Sequence, residues 1–293
     1  MPDPELVQYQ AGEGVATVTL DSPSNRNALS GALLAQLTAA LDRAGGDPTV
    51  RVVVLTGAGP AFCSGADLAE QRSRNEKGLP PEQPSFPLPD VLRRLWRSPK
   101  PVLGRVNGPA RAGGIGLVAA CDIAVAASSA TFAFPEVRVG VVPALISVVC
   151  LPRLQPRAAV EYLLTGEVFD ASRAVAIGLV SRAVADTDLD AEIARYAAML
   201  LRGGPEALAH TKAVIREVPG LDFDAALDRM LALSRDRFAS AEAREGMRAF
   251  AERRPPSWAR DGGAVPPTGP GPEPAPRPGP GPGPGSAGQA VAG

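Results

Sequence analysis

Short apolar runs alternate with helix-period segments through the first half of the chain, and after Pro156 the pattern becomes helical. Ala16-Thr17-Val18-Thr19-Leu20 alternates apolar and polar positions, which predicts a half-buried strand. Asp21-Ser22-Pro23-Ser24-Asn25 is turn chemistry, and Ser30 then reads as the cap of a helix with Leu33, Leu34, Leu37 and Leu41 on one face. Gly45-Gly46 ends it. Val52 to Leu55, Val102 to Val106 and Ile123 to Ala126 read as further strands, with a short helix at Leu92 to Trp96. Strands and helices alternating in this way predict an α/β core with largely parallel pairing. Helices are expected over 158–164, 171–177, 189–201, 205–217, 223–234 and 239–252. From Glu70 to Pro89 the sequence is charged and then proline-rich, which predicts a mobile surface segment.

Two glycine-rich turns stand out against this background. Phe62-Cys63-Ser64-Gly65-Ala66-Asp67-Leu68 follows one apolar run, and Val106-Asn107-Gly108-Pro109-Ala110-Arg111-Ala112-Gly113-Gly114-Ile115-Gly116 follows another. Each opens onto a predicted helix, whose first backbone N–H groups have no intrahelical partner and favour an anion. Two such ends aimed at one point would hold an enolate oxygen, the charge that develops when a thioester is attacked or deprotonated nearby. Phe134-Pro135-Glu136-Val137-Arg138 adds a carboxylate on a third turn. Donors and one carboxylate suffice for proton transfer beside a carbonyl.

Composition narrows the alternatives. The 293 residues are 45% hydrophobic and 21% charged with a net charge of −1, a globular balance that favours neither nucleic acid nor an anionic membrane surface. No uncharged apolar run approaches the roughly 18 residues of a membrane span. Cys63, Cys121 and Cys150 are odd in number and unclustered, which with no evident secretory signal predicts reduced thiols in a cytoplasm. His210 is the only histidine, so a multi-histidine metal site is excluded and no metal is expected. It lies in an alanine-rich helical stretch far from the glycine turns, where it reads as an ordinary helix residue. Trp96 and Trp258 read as packing residues.

In their order and spacing, the Ser64-Gly65-Ala66-Asp67-Leu68 loop, the Asn107-Gly108 and Gly113-Gly114 turn with Cys121-Asp122-Ile123 behind it, and Pro135-Glu136 resemble the crotonase (enoyl-CoA hydratase/isomerase) superfamily. The resemblance runs from Pro4 to Trp258, with Glu245 to Arg254 similar to the family's closing helix. It implies a twisted ββα superhelix over residues 1–195 and a helical C-terminal region over 196–260 that makes trimer contacts. It also implies an acyl-CoA substrate, no separate cofactor because coenzyme A arrives with the substrate, and a homotrimer or dimer of trimers. Ala66 and Gly113 match the family's two oxyanion donors, and Glu136 matches the glutamate that exchanges a proton with the substrate's α-carbon. The substrate would lie along Ser64, Ala66, Asp67, Leu68, Gly113, Gly114 and Gly116, with Arg26 near the coenzyme's phosphates. Apolar neighbours Phe132, Phe134, Val137 and Val141 would raise the Glu136 pKa by desolvation.

Gly116 departs from the two-glutamate hydratases of the family, which carry their water-activating glutamate there. A single glutamate is enough for double-bond isomerisation. Yet subgroups resembling methylglutaconyl-CoA hydratases share the Gly113-Gly114-Ile115-Gly116-Leu117 turn and a segment like Val137 to Ser147, and that likeness favours a hydratase. The glycine is expected to leave space, for a branched acyl group or for a carboxylate introduced at 116. Isomerase and non-catalytic acyl-CoA binder are the alternatives. Arg111, immediately before the donor turn, reads either as a clamp for a distal carboxylate or as a solvated loop residue.

Pro and Gly fill 20 of the 32 positions from Gly262 to Gly293, so the segment 261–293 cannot bury apolar surface and is expected to be a disordered tail. A chain stopped after Asp261 should keep its melting temperature, oligomeric state and turnover. A drop of several degrees on truncation would show that the tail docks.

Overall fold

The computed structural model describes residues 4–77 and 88–259. The expected tail over 261–293 lies outside the described residues, as does 78–87 of the expected surface segment. β1 (Val7–Gly12) and β2 (Val15–Leu20) form an antiparallel hairpin. β2 buries Ala16, Val18 and Leu20, as its alternation predicts. α1 (Gly31–Gly46) follows, capped by Ser30, whose Oγ accepts from the Leu33 N–H at 3.2 Å. Then come β3 (Val52–Gly57), α2 (Leu68–Glu76), α3 (Leu88–Arg97), β4 (Val102–Val106), β5 (Ala110–Arg111), α4 (Gly113–Ala120), β6 (Ile123–Ala127) and β7 (Thr131–Ala133). A 3₁₀ turn at Pro135–Val139 leads to α5 (Ala144–Cys150), α6 (Pro156–Thr165), β8 (Phe169–Asp170), α7 (Ala171–Ala176) and β9 (Arg182–Val184). α8 (Leu189–Leu201), α9 (Pro205–Glu217), α10 (Phe223–Phe238) and α11 (Ala241–Ala251) complete the described chain.

Six strands form one sheet in the order β1-β2-β3-β4-β6-β9, parallel throughout except for the β1 edge. β5, β7 and β8 make a small second sheet. β3 is buried along its whole length because helices cover both faces. Val53 and Leu55 join the main core with α1, α3 and α4, whereas Val52 and Val54 pack with Leu189, Ile193 and Ala197 of α8. The expected boundary between residues 195 and 196 falls inside α8, so the helical region begins within an element that the core depends on.

The segment from Glu70 is helical rather than a surface coil as far as Glu76. Asp67 accounts for this: its Oδ1 accepts from the Ala69 and Glu70 N–H groups at 3.0 and 3.1 Å, an N-cap that sequence pattern alone does not display. Glu70 then accepts from the Gly31 N–H at 3.0 Å and ties α2 to the start of α1. Sequence reading also missed β1, α5 and the short strands β5, β7, β8 and β9, which are too brief to show a period.

α9 is locked to the sheet by charge. Asp122 binds Lys212 at 2.5 Å and Arg216 at 2.7 Å, and accepts from the Val102 N–H at 2.7 Å. Lys212, 7% exposed, also donates to the Lys100 carbonyl. Asp122 is thus structural. Asp122→Ala leaves a buried ammonium without its carboxylate, and stability should fall by about 3–5 kcal/mol. Urea unfolding would read this as a lower midpoint at similar slope.

Candidate active site

The two glycine turns are joined by backbone. The Phe62 and Cys63 N–H groups donate to the Pro109 carbonyl at 3.1 and 3.2 Å, and the Arg111 N–H donates to the Cys63 carbonyl at 2.9 Å. The Leu29 N–H donates to the Gly65 carbonyl at 2.8 Å, and Ala66 bridges to Leu29. Contact this close depends on absent side chains. Gly65 has φ +87°, and a Cβ there would lie 2.8 Å from Ala112 Cβ, 2.9 Å from the Arg111 carbonyl oxygen and 3.4 Å from the Gly113 nitrogen. A Cβ at Gly114 would meet the Cys63 carbonyl at 2.6 Å. The turns that carry Ala66 and Gly113 are therefore packed face to face.

Asn27, fully buried, fixes the approach to the first turn. Its side-chain nitrogen donates to the carbonyls of Ala58, Ala61 and Phe62 at 3.0, 2.9 and 3.2 Å, while its oxygen accepts from the Ser22 N–H at 2.8 Å. Asn107 grips the same loop through the Gly57 N–H and the Gly59 carbonyl. Gly113 is the first residue of α4, and neither its N–H nor that of Ala66 has a hydrogen-bond partner among the described residues. Ala112, just before it, holds φ +47°, a strained value for a residue with a side chain, and donates to the Ala133 carbonyl at 3.2 Å. Strain of this kind collects where a backbone group must point one way.

That last bond leads to the carboxylate. Ala133 ends β7, and three residues on, Glu136 sits in the 3₁₀ turn. Phe132 and Phe134 are fully buried and stack on Phe169, which anchors the turn. Glu136 Oε2 is shut off from solvent with no hydrogen-bond partner among the described residues. Burial raises the Glu136 pKa above its ordinary value, partly opposed by a hydrogen bond from its own backbone. Val141, expected to help, is 52% exposed and does not enclose the carboxylate. Cys150 on α5 is near enough for the Glu136 charge to add to the burial that raises its thiol pKa.

The other expected residues separate into two groups. Ser64 and Asp67 flank Ala66 and bond locally: Ser64 Oγ donates to the Asn25 carbonyl at 3.1 Å, and Asp67 caps α2. Leu68 is 65% exposed beside them. Arg26 lends its carbonyl to the Ser64 N–H at 3.0 Å, and its side chain is exposed. Arg111 is neither solvated nor directed at a ligand. It is half-buried, donating to the Ala110 and Thr131 carbonyls and to Thr131 Oγ1. Cys63 is buried, and its thiol is pushed up to about 12, which removes it as a nucleophile.

The expectation of open space at Gly116 is corrected. A Cβ there would lie 2.5 Å from Ile146 Cγ2 and 3.1 Å from Ile146 Cβ, so an isoleucine from α5 occupies that space. The only sequence signal was the apolar residue itself, in a segment with no visible period.

With two unpartnered backbone donors and a desolvated carboxylate on neighbouring turns, the comparisons with known proteins fall into place. Residues 10–261 match the family model described as enoyl-CoA hydratase/isomerase. The chain belongs to that family. It is 34% identical to the crotonyl-CoA hydratase of Syntrophomonas wolfei, over 85% of this chain and 96% of that one. It is 35% identical to the (E)-benzylidenesuccinyl-CoA hydratase of Thauera aromatica, over 86% and 98%. An enoyl-CoA hydratase of Mycobacterium smegmatis superposes with a TM-score of 0.80 at 35% identity, covering 88% of this chain and all of the other. The crotonase fold of this enoyl-CoA hydratase/isomerase family member is thus established with the mixed α/β architecture described above.

Glu136→Gln tests the role of the carboxylate. Turnover should fall about 100-fold or more, the loss expected of a general base, if the carboxylate has that role. Stability should move the other way. Because the folded pKa of Glu136 is raised, the folded state is penalised as pH rises through that pKa, and the penalty is complete above it. The amide carries no such charge, so the melting temperature at pH 7 should hold or rise while activity disappears.

Proposed function

We propose that this chain is an enoyl-CoA hydratase working with one carboxylate. The observation that carries the reading is Glu136 Oε2, buried and without a partner among the described residues, three residues after Ala133, whose carbonyl accepts from the Ala112 N–H beside Gly113. The thioester oxygen would accept from the Ala66 and Gly113 N–H groups. Glu136 would take a proton from water as the water oxygen bonds to the β-carbon. The π electrons then move to the thioester oxygen as an enolate. Glu136 returns a proton to the α-carbon, which closes a syn addition. Donors already in place bind the charge as it forms, at no cost in reorganisation.

Isomerisation is the second reading, favoured by Ile146 standing where a second acid would be needed. In that case Glu136 would move one proton along the acyl chain and no water would add. A non-catalytic binder is less well supported, because an unpartnered buried carboxylate oxygen costs stability that binding alone does not require. A methylglutaconyl-type substrate, and with it a place in leucine degradation, rests on the Gly113–Leu117 turn and the 137–147 segment alone.

A homotrimer or dimer of trimers is the assembly we infer. α10 has no buried residue, and Phe223, Leu227 and Leu231, each at least half exposed, share one face at helical spacing. A cytoplasmic, reducing setting is supported by three buried cysteines that form no disulfide. Among the described residues no helix is long and apolar enough to cross a membrane. Coenzyme A would enter as part of the substrate.

Purified protein offered crotonyl-CoA and a β,γ-enoyl-CoA, with products weighed by mass spectrometry, separates these readings. Hydration adds the mass of water to crotonyl-CoA. Isomerisation converts the β,γ-thioester without a mass change, and would set the hydratase reading aside. No conversion of either would leave only binding.

A further inference from the structure

The first turn of α4 carries both the Gly113 donor and Gly116, three residues on and on the same face, about 4.5 Å along the axis. That is the scale on which an acyl chain leaves its carbonyl for the β- and γ-carbons. The side chains packed against this strip are hydrocarbon. A Cβ at Gly113 would lie 2.8 Å from Leu29 Cδ1 and 3.5 Å from Leu88 Cδ2, and one at Gly116 would meet Ile146 and, at 3.7 Å, Leu92 Cδ2. All four wall residues are buried. Ile146 is the stiff member: its Cβ as well as its Cγ2 stands within 3.1 Å of the added atom, and a β-branched side chain on a helix has few other rotamers. Turning χ1 cannot move the Cβ. One turn further along α5, Cys150 is within range of the Glu136 charge.

We propose that Ile146 sets the acyl selectivity of this site. It takes the volume that a side chain at 116 would fill, and it walls the β-carbon with hydrocarbon. The site therefore takes enoyl groups unbranched at the β-carbon and disfavours those with a β-methyl group, the methylglutaconyl type among them. This rests on the assignment of the thioester oxygen to the Ala66 and Gly113 donors.

The test uses the saturated, unreactive thioesters butyryl-CoA and 3-methylbutyryl-CoA, titrated calorimetrically into the intact protein. The parent protein should bind butyryl-CoA about 10-fold or more tightly than its branched counterpart, the size of one hydrocarbon group in a closed pocket. Ile146→Ala should bring the two dissociation constants close to parity. Should the alanine variant fail to fold, Ile146→Leu, which keeps the volume but removes Cγ2 and the β-branch, should move the ratio the same way. A parent that binds both equally, or variants that keep the parent's ratio, would overturn the proposal. A second readout needs no ligand. Gly116→Ala should lower the melting temperature by several degrees in the parent and by clearly less in the Ile146 variant; equal drops would overturn the contact on which the proposal stands. If crotonyl-CoA were not turned over while the dissociation constants shifted as stated, the hydratase reading would fail and the role of Ile146 would stand.

Discussion

The site depends on how closely two stretches of backbone approach. Where Gly65 meets Ala112 and Gly113, the separations leave no room for one additional carbon, and φ at Gly65 is positive. Only glycine fits both demands. The strain at Ala112, of the order of 1–3 kcal/mol for an unfavourable φ, persists because the surroundings over-determine it. The bonds from Arg111 to Cys63, from Phe62 and Cys63 to Pro109, from Ala112 to Ala133 and from Leu29 to Gly65 each contribute about 1 kcal/mol net. Together they exceed the cost of the twist, and they fix the direction of the Gly113 N–H.

Glu136 shows the opposite balance. Its carboxylate receives no bond from a neighbouring side chain, and burial raises its pKa, so the folded chain carries an unfavourable group at neutral pH. The stacked Phe132, Phe134 and Phe169 around β7 and β8 hold the turn in place regardless. The reaction proposed above would need rigidity at the Gly113 turn and desolvation at Glu136, and the small β5-β7-β8 sheet adjoins both. Its β5 runs into the donor turn, and its β7 runs into the carboxylate.

The sequence made some of this legible and concealed the rest for physical reasons. Strand β2 and helix α1 were readable because one face of each is fully buried and the other less so, which writes a period into the residues. The C-terminal helices were readable from helix-forming runs separated by short breaks, with α8 and α9 found to the residue, although α10 buries no residue. The glycine turns were readable because close backbone contact demands glycine at fixed positions, whereas Glu136 was singled out through the family resemblance. Two-residue strands such as β5 and β8 have no period, and the Asp67 cap looks like any turn aspartate until the N–H groups that donate to it are seen. Arg111 was misread because charge suggests solvent or a ligand, whereas its guanidinium is spent on Thr131.

Gly116 was the subtler case. A glycine where relatives of the two-glutamate type carry an acid reads as a deletion, and a deletion suggests room. Protein interiors do not keep such room, since an unfilled volume forfeits contact on every side. The compensating residue lies 30 positions away, on a helix of seven residues with no cap and no period, so local sequence carried no trace of it. What had looked like a missing catalytic group is a matched pair in which one residue has no side chain and the other takes its volume. The consequence is chemical as well as steric. With hydrocarbon beside α4, the reaction proposed above leaves Glu136 as its one acid–base group, and its pKa, rather than the presence of a second carboxylate, becomes the property on which that reaction would depend.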